Sequence, residues 1–84
     1  MGMKTTFLVQ TFVIKRKRLG PGERQLAPTE SGAMKRAEAM AGRMPGTAAL
    51  RIVADGETGE LESATILRQF GEVPDDFAEG LTGG

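Results

Sequence analysis

Few residues in this chain can do chemistry, and the densest group of them is cationic: Lys15, Arg16, Lys17 and Arg18 in succession. Four adjacent positive charges attract phosphates without regard to base sequence, and Lys35, Arg36 and Arg43 would widen the patch if their segment lies alongside. Phe7 and Phe12 precede the run and do not alternate with it, and Tyr and Trp are absent, so no stacking surface for bases is visible. Nucleic-acid binding through Lys15, Arg16, Lys17, Arg18, Lys35 and Arg36 is therefore an alternative expectation, not the leading one. A second polar group, Asp55, Glu57, Glu60 and Glu62 around two glycines, has the oxygen chemistry for a hard cation. It lacks the EF-hand order of ligands, so a solvated turn without metal is expected. Catalysis has little to draw on. Without His or Cys the nucleophiles are Ser31, Ser63, the threonines and the lysines, none beside a recognisable base or oxyanion loop. Gly20-Pro21-Gly22 lacks the Lys-Ser/Thr of a phosphate loop. The expectation is a protein that is not an enzyme, with no cofactor and no small-molecule substrate.

The formal net charge is zero, yet the two signs are segregated along the chain. Residues 1–44 hold nine Lys/Arg against three Glu, a net +6, and residues 45–84 hold two Arg against eight acids, a net −6. If the sheet interleaves the halves, these charges neutralise across strands; if not, they form patches that steer partners over roughly 8 to 10 Å in ordinary salt.

The elements that would position these groups follow from hydrophobic patterning. Thr5 to Ile14 is the longest β-branched, apolar stretch and predicts a central strand. Its two faces, Phe7/Val9/Thr11/Val13 and Leu8/Gln10/Phe12/Ile14, are both mainly apolar, so both need cover. Leu19-Gly20-Pro21-Gly22-Glu23 predicts the next turn, and Arg24 to Ala27 a short return strand. Thr29 or Ser31 can cap a helix whose apolar positions 33, 34, 37, 40, 41 and 44 form one stripe, stopped by Pro45-Gly46. Ala37, Met40, Ala41 and Met44 are expected to pack on Val9 and Val13 or their opposite-face neighbours, and on Leu50 and Ile52. Thr47–Asp55 and Leu61–Gly71 predict a second hairpin around the acidic turn. Val73 to Gly80 carries the signature of a short C-terminal helix, with Pro74 in its first turn, and Leu81 to Gly84 reads as a mobile tail. The order is ββαββ, an α+β domain over residues 3–80 with one helix on one face of a four-stranded antiparallel or mixed sheet.

Eighty-four residues make one small core, and the absence of Cys leaves it without disulfides. No apolar run approaches the roughly 20 residues that span a bilayer, so a soluble, cytoplasmic protein is the default expectation. Gly2 and Thr6 match an N-myristoylation spacing, but the second Met at position 3 reads as the native start, which sets that match aside.

The ending Thr82-Gly83-Gly84 resembles that of ubiquitin-like sulfur carriers and modifiers, which share the ββαββ order. That resemblance implies a terminus, Gly83-Gly84, whose carboxylate is adenylated and carried onward. Here Pro74 to Gly80 intervenes between the last strand and the tail, where the family runs almost directly from one to the other. The whole chain is also similar to a group of small uncharacterised bacterial proteins in Val9–Phe12, Ala33–Ala41, Asp55–Gly59 and Phe70–Asp75, a likeness that implies no activity. The leading expectation is a small protein-interaction module, with itself as partner in a homodimer, because one helix covers only one of the two apolar faces.

Overall fold

The long apolar stretch does form a strand. In the computed structural model, which describes residues 2–74 and Phe77, β1 spans Met3–Lys15, β2 Arg18–Ala27, α1 Glu30–Ala41, β3 Gly46–Asp55 and β4 Leu61–Gly71. The four strands make one sheet in the order β2-β1-β3-β4, with every neighbouring pair antiparallel. β1 and β3 are central, which is why both faces of each are apolar. The protein is a small α+β domain, as the element order predicts.

The first turn lies elsewhere than the sequence suggests. Lys15 pairs with Arg18, so the β1–β2 hairpin closes through Arg16 and Lys17 alone, at φ of 52° and 66°. Two left-handed central residues define a type I′ turn, whose twist matches the flanking strands but which ordinarily takes Asn-Gly. Gly20-Pro21-Gly22, the stronger local turn signal, lies inside β2, where the register slips between Gln10 and Phe12. Pairing decides the matter. Leu19 sits opposite Ile14 and packs with the Phe12 cluster, and a turn at 19–23 would give that pairing up. Pro21 is tolerated because β2 is an edge strand.

Thr29, not Ser31, caps α1: its Oγ1 accepts the Gly32 amide at 3.0 Å. The helix ends at Ala41 with Gly42 as its cap, before the expected stop at Pro45-Gly46. Ala33, Ala37 and Met40 pack on Val9, Ala27 and Ala49, flanked by Phe7, Met34, Met44, Leu67 and Phe70, and this is the near face. Thr47 Oγ1 donates to the Ala37 carbonyl at 2.7 Å and ties helix to sheet. Leu50 and Ile52, expected beneath the helix, point the other way. With Leu8, Phe12 and Ala48 they form a second cluster on the far face, and there Val73 and Phe77 fold back over it. Phe12 and Phe77 meet edge to face, with centroids 4.8 Å apart.

That return needs two glycines. Gly71 turns the chain off β4 at φ 70°, and the Glu72 amide donates to the Pro45 carbonyl at 3.0 Å. A Cβ on Gly46 would overlap the Glu72 carbonyl oxygen, so only glycine lets the two backbones cross there. The short helix expected over 73–80 falls mostly on residues outside those described, as does the tail 81–84; Phe77 N donates to the Pro74 carbonyl at 3.0 Å. Among the described residues no helix is long and apolar enough to cross a membrane.

Candidate functional site

The type I′ turn gathers the cationic run at one point. Lys15, Arg16, Lys17 and Arg18 are all exposed, and the directly opposed pair Lys15 and Arg18 carries like charge, an arrangement that opposes hairpin stability. The left-handed conformation costs an ordinary residue about 1 to 2 kcal/mol, and Arg16 and Lys17 both adopt it. β3 begins opposite Phe12, so the last three residues of β1 and their partners project past the four-stranded body as a two-stranded ribbon.

The acidic group occupies the other end. Asp55 pairs with Met3, the first residue of β1, twelve strand steps from Lys15. At about 3.3 Å per step that places the β3–β4 turn about 40 Å from the hairpin tip, in a molecule 43 Å long and 27 Å wide. Asp55 Oδ1 accepts the Glu57 amide at 2.7 Å and the Thr58 amide at 3.1 Å, an Asx-type turn. Those amide donors, Thr58 first and then Glu57, hold the exposed Asp55 carboxyl below the ordinary range. Among the described residues no three acidic side chains converge into a group that could hold a metal.

The segregated charge of the sequence is thus a polarity in space. The antiparallel register, which sends β1 and β3 in opposite directions, puts the first hairpin turn and the second at opposite ends. Lys35, Arg36 and Arg43 do not all join the tip. Arg36 Nη1 donates to the Leu26 carbonyl at 2.9 Å. Leu26 is opposite Leu8, seven steps from Lys15, so Arg36, with Lys35 next to it on α1, stands roughly 23 Å up the sheet. Arg24 was not singled out in the sequence, and it is held in place. Its Nε donates at 2.6 Å to Oε1 of Gln10, a residue 1% exposed whose Nε2 donates to the carbonyls of Thr11, Gly22 and Glu23. The β2 irregularity leaves Gly22 and Glu23 out of register with β1, so their carbonyls are open to the amide of Gln10, which accounts for a buried Gln in a central strand.

The far face carries what the sequence did not mark as a site. Leu26 is 70% exposed, Ile14 54% and Leu61 42%. Leu26 is opposite Leu8, Ile14 follows Leu8 and Phe12 in alternation, and Leu61 is opposite Ala54, so all three share the face of the Phe12 cluster. Ser31 lies in the exposed first turn of α1, and Ser63 is exposed on the edge strand β4. Gly83 and Gly84 lie outside the described residues. Comparison of the chain with protein-family models, curated proteins and solved structures finds no match. Function is therefore read from its surfaces.

Proposed function

We propose that this protein is a small non-catalytic interaction module that works by pairing with a second protein chain, a copy of itself, through the far face of its sheet. The observation that carries this is the alignment of Leu26, Ile14 and Leu61 on one face around the Val73 and Phe77 cover. Single exposed leucines need no explanation, but these three share their face with half-buried Leu19, Ile52, Ile66, Val73 and Phe77, so apolar side chains run across much of it. The flat outline of the molecule, 43 by 27 Å, offers up to roughly 1,100 Å² on that side, against about 800 Å² per partner in a standard interface. Sedimentation equilibrium tests the reading. A dimer at tens of micromolar that Leu26→Glu converts to monomer supports it; a wild-type monomer at several hundred micromolar refutes it.

A second reading rests on the left-handed Arg16 and Lys17. Backbone strain at an exposed cationic tip is the kind of outlier that marks a binding element, and a two-stranded ribbon fits the major groove of duplex DNA. Contact of all four cations with phosphates would give a slope of about −3.6 in log affinity against log salt. Fluorescence anisotropy with a labelled duplex measures it, and a slope unchanged in the quadruple Ala variant of Lys15, Arg16, Lys17 and Arg18 would remove the reading.

A further inference from the structure

Resting on the far-face reading, we infer that the two copies pair end for end, so that the basic hairpin tip of each lies beside the acidic β3–β4 turn of the other.

The folded-back segment gives the first reason. Val73 and Phe77 cover Leu8, Phe12, Ala48 and Leu50, the middle of the far face and its half toward the basic tip. The half toward the acidic turn, with Thr6, Ala54 and Leu61, has no such cover among the described residues. Two copies stacked in the same direction would set one folded-back segment against the other and leave the open halves apart. Reversal lays each segment over its partner's open half. The two-fold axis then runs between the faces, across the strands, and the contact closes on itself as an isologous pair.

Charge gives the second reason, independently. The tip carries +4 in Lys15, Arg16, Lys17 and Arg18, and the turn −4 in Asp55, Glu57, Glu60 and Glu62, although by alternation with Ile14 and Ala54 the Lys15–Arg18 pair and Asp55 fall on the helix side and act at longer range. Stacking in the same direction would set like against like at both ends; reversal sets opposites together twice. Such complementarity fixes orientation and speeds encounter more than it adds affinity. Tip and turn are offset by two strands across the sheet, about 10 Å, which is about one Debye length at 0.1 M salt. Flexible Lys and Arg side chains span much of that offset. Lys4, opposite Ala54 at the acidic end, subtracts one charge from the attraction, and Glu72, beside Gly46 at the base of the basic ribbon, subtracts another. A nucleic acid at the tip would have the same phosphate-binding cations, but the acidic pole repels its approach from the other end.

Zero-length carbodiimide cross-linking of the wild-type protein tests the arrangement without any substitution. Within one chain the two ends are about 40 Å apart, so an amide joining Lys17, at the turn itself, to Glu57, Glu60 or Glu62 can form only between copies. The expected result is that peptide in the dimer band, mixed in isotope when ¹⁴N and ¹⁵N protein are combined, and lost in 0.5 M salt. Charge reversal provides the second arm. One variant carries Glu at 15–18, in K15E, R16E, K17E and R18E; the other carries E57K, E60K and E62K, with Asp55 kept because it caps its own turn. Each alone should dimerise at least tenfold more weakly in 50 mM salt, and an equimolar mixture should restore a heterodimer by native mass spectrometry. A dimer that Leu26→Glu dissociates, but that yields no tip-to-turn peptide and ignores both reversals, overturns the end-for-end arrangement and leaves the far-face reading standing. A dimer that survives Leu26→Glu overturns the far-face reading itself. A monomer whose tip binds duplex DNA overturns both.

Discussion

Gly46→Ala should destabilise this protein far more than a methyl group on a strand has any right to. The added Cβ overlaps the Glu72 carbonyl, a backbone atom that cannot swing aside, so the segment after β4 must lift from the far face. Lifting forfeits the Glu72 to Pro45 hydrogen bond, worth about 1 kcal/mol, and the Phe12–Phe77 edge contact, worth about 0.5 to 1.5. It also returns half-buried Val73 and Phe77 to water, at about 1 kcal/mol each by half of a full burial. The sum is about 3 to 5 kcal/mol, a large share of the roughly 4 to 13 that a domain of this length commands. Urea denaturation read by circular dichroism gives the stability, with Gly20→Ala as control because nothing lies within 4 Å of a Cβ there. Binding of an apolar dye should rise in the variant as Phe12, Leu8 and Leu50 lose their cover. A Gly46→Ala protein within 1 kcal/mol of wild type would refute the crossing of the two backbones as the element that holds the far face closed.

Replacing Arg16-Lys17 by Asn-Gly relieves two left-handed residues and two like charges and should raise the melting temperature by about 4 to 8 °C per kcal/mol recovered, read by thermal unfolding. Thr47→Val removes the 2.7 Å tie to the Ala37 carbonyl, which keeps its helical partner, and should cost about 0.5 to 1.5 kcal/mol in urea. The Asp55 carboxyl is held low by the amides of Thr58 and Glu57 in the folded state. Its contribution is therefore present above the ordinary pKa of 3.8 and lost as pH falls through the lower folded value. Wild type should be more stable than Asp55→Ala at pH 6, with the difference shrinking below about pH 4 in denaturation series at each pH.

Strands β1, β3 and β4 and the helix were legible because their patterns have a single solution. A run such as Phe7–Ile14 with two apolar faces can only be central, and Ala33, Ala37 and Met40 share a stripe. The first turn was not legible, because Gly20-Pro21-Gly22 offers better local chemistry than Arg16-Lys17 and only the pairing of Leu19 with Ile14 overrules it. The direction of Leu50 and Ile52 is a register property that no strand reveals by itself. Segregated charge was visible, but its placement at two ends depends on β1 and β3 running antiparallel. The exposed Leu26 became meaningful only once it stood opposite Leu8.

The crossing at Gly46 and Gly71 also sets an order of events. Synthesis delivers Leu8, Phe12, Ala48 and Leu50 before Val73 and Phe77, and at about 5 to 20 residues per second the stretch from Leu50 to Val73 takes about 1 to 5 s. For that interval, then, a growing chain that has paired β1 with β3 carries a bare apolar face, and nothing of its own can yet cover it. Closure by Val73 and Phe77 turns that bare face into the partly covered one on which Leu26, Ile14 and Leu61 stay exposed, so the two glycines that shape the fold also set what a partner meets there.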